Sequence, residues 1–258
     1  MICVTGGPAV GKAALKSPKR AIVAGPGNPP VVVDETADLD HAAKSIIAGA
    51  AYDNNLLCIG EKEVFAAEAI FDKLMSAMER AGAYRLNADE IEHLTKVAFS
   101  GYGGDALRIG LNKDLIGKDA SVLAQAAGIP MRSPSVLLYG ETSESNPFVD
   151  HEQMMPFVPF VRVKNVDQAI ALAKKYEHGY KHTALIHSKN LDTITKMAKE
   201  LDTTIFVVNG PCGAGLGNGG EGYLSYSIAT PTGEGVTTPL TFTRQRRFTI
   251  ANGGMRIL

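Results

Sequence analysis

Cys58 is the residue whose type and setting point most directly to chemistry. It lies in Asn54-Asn55-Leu56-Leu57-Cys58-Ile59-Gly60. The segment after it, about Glu61 to Arg80, reads as a helix with Val64, Ala67, Phe71, Leu74, Met75 and Met78 on one face. A thiol at the head of a helix meets the positive end of the helix dipole, which favours the reactive thiolate. Two asparagines and a glycine nearby suit a bent backbone that aims the sulfur outward. The competing reading is a small buried apolar cysteine. The local sequence does not decide between them.

Other spacings suggest chemistry that their context undercuts. Gly6-Gly7-Pro8-Ala9-Val10-Gly11-Lys12 has the Gly-x4-Gly-Lys spacing of a phosphate loop, but Ala13 stands where a magnesium-holding hydroxyl is needed. Val31-Val32-Val33-Asp34-Glu35 follows too soon to be the magnesium-binding strand of an NTPase. What survives is a strand, a glycine turn and a helix N-terminus, an anion site suited to a nucleotide pyrophosphate. Gly215-Leu216-Gly217-Asn218-Gly219-Gly220 is formally G-x-G-x-x-G, yet no helix pattern follows, so it reads as a loop. His178, His182 and His187 straddle a helix end, a loop and a strand. They do not share a face as a helical zinc pair would, so they read as exposed or locally bonded histidines, with no metal site.

The elements that must position these residues alternate in type. Val31-Val32-Val33 is a β-branched strand, and Leu39 to Ala50 carries a helical stripe. Asn87 with Glu90 is a capping-box start for a helix, and Asp119 to Ala127 reads as another, stopped by Gly128 and Pro130. Val136 to Tyr139 and Phe157 to Val163 read as strands, the second interrupted by Pro159. A helix from Asn165 to His178, a strand Thr183 to His187, a helix Leu191 to Leu201 and a strand Thr204 to Val208 complete an α/β alternation. Asn209 to Gly235 is Gly-rich and suits a site-lining loop, and Thr241 to Ile250 reads as a final strand.

Composition narrows the function classes. The chain has 258 residues, 45% hydrophobic and 21% charged, with a net charge of −1. This is an ordinary globular balance, and it favours neither nucleic acid nor an acidic membrane surface. Arg244-Gln245-Arg246-Arg247 is too short a basic run to track phosphates and reads as a strand's polar face. No apolar run approaches the ~20 residues of a membrane span. Cys3, Cys58 and Cys212 are odd in number and far apart, which argues against a disulfide framework and for a reducing, cytoplasmic setting. Ile2-Cys3-Val4-Thr5-Gly6 opens the chain abruptly, as an inner strand with no lead-in.

Several segments together resemble the CoA-acylating aldehyde dehydrogenases of the propionaldehyde and acetaldehyde type. Asp53 to Val64 is similar to their nucleophile motif, and Gly25-Pro26-Gly27-Asn28-Pro29-Pro30-Val31-Val32-Val33 to their glycine-proline segment. His151-Glu152-Gln153-Met154-Met155-Pro156 resembles their acidic motif. Ile228 to Gly235 and Thr241-Phe242-Thr243-Arg244 look like their C-terminal segments.

The resemblance implies a three-layer α/β catalytic domain preceded by a remnant of a Rossmann-like cofactor domain. Its boundaries would be 1–27 for the remnant, 28–208 for the nucleophile domain, and 209–258 for an active-site loop and oligomerisation strand. It implies Cys58 as catalytic nucleophile, with its backbone N–H as an oxyanion donor. Gly6 and Gly7 would lie near the pyrophosphate of NAD, and Glu152 would accept from the nicotinamide ribose. Coenzyme A would be the co-substrate and a short aliphatic aldehyde the substrate. Hydrolytic relatives carry a glutamate base where Ala24 aligns, and alanine cannot activate water, so CoA thiol becomes the acceptor.

About half of a family member would precede Met1, including most of the nucleotide-binding sheet and an oxyanion-hole asparagine. The full-length form would be a homo-oligomer, a dimer or tetramer. Cytoplasm or a bacterial microcompartment lumen would be its location. An inactive fragment or assembly partner, a hydrolytic aldehyde dehydrogenase and an NTPase remain rival readings.

Overall fold

Val31, Val32 and Val33 are all fully buried, yet they face two different cores. Side chains of a strand alternate across its sheet, so a strand apolar at every position must be covered on both faces. The computed structural model describes residues 1–103, 109–220 and 222–254. Along the chain it places β1 (Ile2–Thr5), α1 (Pro8–Leu15), β2 (Ala21–Ala24), β3 (Pro30–Val33), α2 (Leu39–Ala50), β4 (Glu63–Ala67), α3 (Glu68–Arg80), β5 (Tyr84–Arg85) and α4 (Ala88–Ala98). A hairpin, β6 (Phe99–Ser100) and β7 (Gly110–Leu111), leads to α5 (Ala120–Ala126), β8 (Leu138–Glu141), α6 (Pro147–Asp150), β9 (Phe157–Val163) and α7 (Val166–Tyr176). β10 (Thr183–His187), α8 (Leu191–Leu201), β11 (Ile205–Val208) and a small antiparallel pair, β12 (Ile228–Ala229) and β13 (Gly235–Val236), follow.

The central sheet has the order β11-β10-β3-β4-β9-β8-β5, and every neighbouring pair is parallel. α2 and α3 cover one face, where Val31, Val33, Val64, Ala66 and Phe160 meet Ile46, Phe71, Leu74 and Met78. α7 and α8 cover the other, where Val32, Phe65 and Val161 meet Ile170, Ala173 and Met197. α4 and α5 extend that second layer over Leu138 and Phe157. The three-layer α/β reading of the catalytic domain is what the structure shows. β1 and β2 form a separate parallel pair with α1 beside it.

Several expected elements stand. The Asn87–Glu90 capping box is formed in both directions, at 2.9 and 2.8 Å. Pro159 lies inside an inner strand, where the sequence pattern anticipated an interruption. Two expectations are corrected. The helix read from Glu61 is a buried strand first, Glu63–Ala67, and turns helical only at Glu68. A four-residue apolar run carries too little periodicity to separate the two states, and the parallel neighbours β3 and β9 settle it. The strand read over Thr241–Ile250 is a short 3-10 turn, Pro239–Phe242, followed by extended chain with no ladder partner among the described residues. A strand exists only with a partner, and the described residues offer none there.

Candidate active site

The segment carrying Cys58 is a strained turn held by its own side chains. Asp53, Asn54 and Asn55 all have positive φ, at 49°, 51° and 63°. Asparagine and aspartate tolerate this left-handed region better than other non-glycine residues, at a cost of about 1–2 kcal/mol each. Asn55 is fully buried, and its side-chain amide donates to the carbonyls of Ala50 and Glu61, both at 2.9 Å. Asn54 donates to the Gly117 carbonyl at 3.0 Å and to Asp119 at 2.8 Å. The bent backbone expected from the two asparagines is therefore present, and a network of side chains maintains it.

The helix-dipole argument for Cys58 does not hold. Buried strand β4, not a helix, follows the cysteine. Cys58 is half-buried, and that burial pushes its thiol up to about 11. The Glu152 carboxylate adds to the rise, and Lys62 pulls the other way. The resting side chain is a neutral thiol near pH 7.

Four connections entering the large sheet meet around this turn. Gly27 precedes β3, Cys58 precedes β4, Glu152 and Gln153 precede β9, and His182 precedes β10. All four lie at the amino ends of parallel strands. The Gly27 amide donates to Glu152 Oε1 at 3.4 Å. A Cβ on Gly27 would collide with the Cys58 carbonyl oxygen and touch the His182 ring. Glycine is thus required for close approach of the two backbones. Burial raises the Glu152 carboxyl, while Lys62 and the Gly27 amide hold it down. His182 bonds Thr183 Oγ1 through Nδ1 at 2.9 Å, its Nε2 has no partner, and burial lowers its pKa to about 4.

Gly6 and Gly7 approach from the other sheet. They follow β1 and open α1, whose N-cap Gly7 makes no side-chain capping bond. Nothing lies within 4 Å of where a Gly7 Cβ would stand. This is an open, uncapped helix N-terminus able to take an anion. The Gly6 amide donates to the Ala24 carbonyl at 3.2 Å, and from Ala24 the chain runs through Gly25-Pro26 to Gly27. The carboxyl ends of β1 and β2 are thereby tied by three residues of chain to the turn that holds Cys58. Ala24 is buried and has no proton acceptor on its side chain.

Several site features escaped sequence reading. The sequence pattern places Glu61 and Lys62 only as the start of a helix, and both are fully buried. Burial raises Glu61 to about 7, and its Oε1 accepts from the Cys212 amide at 2.9 Å. The signal available was the apolar run Val64 to Ala67, which makes the preceding charges a strand entry. The histidines differ from expectation too. His178 bonds the Asp150 carbonyl at 2.9 Å, but His187 is buried with neither ring nitrogen bonded. Among the described residues, no three His, Cys, Asp or Glu side chains converge as metal ligands, and no helix is long and apolar enough to cross a membrane. A cleft of about 840 Å³ lies around Tyr84, Arg85 and Arg132 at the β5 sheet edge, and Cys58 is not among the residues that line it.

Known proteins resemble the chain in both sequence and fold. Residues 1–97 match the aldehyde dehydrogenase family. The acetylating acetaldehyde dehydrogenase EutE of Salmonella typhimurium is 48% identical over 248 residues, covering 96% of this chain and 53% of that protein. The CoA-propanoylating propanal dehydrogenase of Citrobacter freundii is 46% identical over 254 residues, covering 98% and 54%. A crystal structure of Rhodopseudomonas palustris propionaldehyde dehydrogenase with bound CoA and an acylated cysteine superposes with a TM-score of 0.88 at 44% identity, covering 95% of this chain and 55% of that one. The chain spans about half the length of these relatives. The parallel sheet and these matches together place the chain in the aldehyde dehydrogenase family, and the relatives named here are acetylating and CoA-propanoylating enzymes.

Proposed function

We propose that Cys58 is the nucleophile of an NAD-linked, CoA-acylating oxidation of a short aliphatic aldehyde. The observation that carries this reading is the convergence of Gly27, Glu152 and His182 on a strained turn that presents a cysteine. The thiol adds across the aldehyde carbonyl, sulfur to carbon and proton to oxygen, to give a thiohemiacetal. A nicotinamide nucleotide held at Gly6, Gly7 and Glu152 would supply the hydride acceptor, and with release of the hydroxyl proton to water the product is an acyl-cysteine. The CoA thiol then attacks the acyl carbon, the carbon–sulfur bond to Cys58 breaks, and acyl-CoA leaves with the thiol restored.

The chain's own groups have assigned parts in this reading. The Cys58 backbone N–H is the oxyanion donor. Glu152 accepts from paired ribose hydroxyls, and the uncapped turn at Gly6–Gly7 receives a pyrophosphate. Ala24 leaves water without a base, so thiol outcompetes water. Residues 1–27 serve the cofactor, 28–208 carry the nucleophile, and 209–258 supply a site loop and the contact between copies of an oligomer. The family's setting, cytoplasm or microcompartment lumen, comes with the same reading.

Mixing the protein with NAD and propionaldehyde, with and without CoA, tests it. NADH that forms only with CoA and disappears in Cys58→Ser is the expected result. NADH at equal rates without CoA would point to hydrolysis. A second reading, a folded assembly partner without turnover, draws support from the neutral resting thiol. It predicts no NADH in either arm.

A further inference from the structure

Lys62 is a lysine with no exposed surface, four residues beyond Cys58. Burying an ammonium is costly unless every N–H finds an acceptor. Here its Nζ meets three oxygens: the Asn55 carbonyl at 2.7 Å, the Asn55 side-chain oxygen, and the Leu57 carbonyl at 3.2 Å. A lysine ammonium has three donors and no acceptor, so the match is complete and favours the charged form. All three acceptors belong to the segment immediately before Cys58. Two of them are on Asn55, the last of the three residues of this turn held at positive φ. The Lys62 backbone is itself anchored. Its amide donates to the Pro29 carbonyl at 3.1 Å, and its carbonyl accepts from Gln153 at 3.1 Å.

We propose that Lys62 is a positioning residue for the nucleophile, clamping the strained turn from beneath and holding the buried positive charge against which a Cys58 thiolate forms. The inference rests on the reading of Cys58 as the nucleophile. The charged and titratable groups facing Lys62 are Cys58, Glu152, Glu63 and Cys212, each of which favours its ammonium, and Glu61 and His182, whose own titration it alters. Burial is the opposing influence on Lys62 and pulls its pKa down. The three charge-assisted bonds and the Glu152 carboxylate act against that pull. Lys62 is the cation that acts on the Cys58 thiol, against the upward push of burial and of Glu152.

The test is the pH dependence of Cys58 alkylation by iodoacetamide, read by peptide mass spectrometry, in the wild-type chain and in Lys62→Met. Removing an opposite charge at short range moves a titration by about one unit or more. The Lys62→Met midpoint is therefore expected at least about one pH unit higher, with alkylation at pH 8 about tenfold slower. A purely structural lysine would lower the melting temperature and leave the midpoint in place, and that result would overturn the proposal.

Should Lys62→Met not fold, Lys62→Gln, which keeps a hydrogen-bonding head without the charge, takes its place in the same alkylation measurement. Its midpoint is expected to rise likewise, and an unchanged midpoint would overturn the proposal equally. Neither readout uses aldehyde turnover. A Cys58→Ser variant that retained turnover would remove the nucleophile reading while leaving the Lys62–Cys58 coupling measurable.

Discussion

At the scale of single residues, the site depends on a thiol that is not activated at rest. Burial and Glu152 raise Cys58 to about 11, against about 8.5 for a free cysteine. The thiolate is the reacting form, so alkylation of Cys58 should climb about tenfold per pH unit through pH 8 to 10. In the urea-unfolded chain the same peptide should level off earlier. A folded-state midpoint at or below the unfolded one would contradict the burial argument. Gly27 offers a second residue-scale prediction. A Cβ there collides with the Cys58 carbonyl and crowds His182. Gly27→Ala should keep the fold, shift the nucleophile turn, and cost about 10²-fold in acyl-CoA formation, the usual effect of a displacement near 1 Å. Steady-state kinetics would show the loss in kcat more than in the KM for CoA.

At the scale of elements, β10 carries an acid-sensitive weakness. His187 ends this inner strand, buried, with both ring nitrogens unbonded, and burial lowers its pKa to about 4. Its unfolded value is about 6.5, so between pH 6.5 and 4 the unfolded chain binds the additional proton. Stability is thus full above pH 6.5 and is lost as the pH falls through that window. From pH 7 to pH 5 the loss from this one group is about 2 kcal/mol. Glu61, raised to about 7, contributes with the opposite sign between pH 4.5 and 7, so the net curve does not isolate His187. The difference between wild type and His187→Leu does. Urea unfolding at pH 7 and pH 5 should show the variant losing about 2 kcal/mol less than wild type. Equal losses would mean that His187 takes up its proton as readily in the folded chain as in the unfolded one.

At the scale of the whole molecule, the central sheet is enclosed by helices on both sides, and the enclosure is what gives the Cys58 turn a fixed base. Phe71 of α3 is fully buried against β4 and β9 on one face, with the Arg162 guanidinium 4.0 Å over its ring. Phe71→Ala removes a large side chain from this close-packed layer and should cost about 3–5 kcal/mol by denaturant unfolding. Because α3 continues directly from β4, the same change should broaden the Cys58 alkylation kinetics. Loss of stability without any effect at Cys58 would show that the turn is held locally, by Asn55 and Lys62 alone.

Sequence alone determined the layers and singled out Cys58 as the candidate nucleophile. Val31-Val32-Val33, the Leu39–Ala50 stripe and the Asn87–Glu90 box are local patterns, and local patterns survive folding because propensity and capping act within a few residues. Cys58 was found from the company it keeps along the chain. Tertiary structure decided its environment. Whether Glu61-Lys62-Glu63 sits in water or in the core depends on β3 and β9 pairing with β4, an event set by residues about 30 and 90 positions away in sequence. That pairing turned an expected helix head into a strand entry, removed the dipole as the source of reactivity, and put a buried ammonium beneath the nucleophile instead. Thr241–Ile250 failed for the related reason that a strand is a property of two segments, and the sequence shows only one.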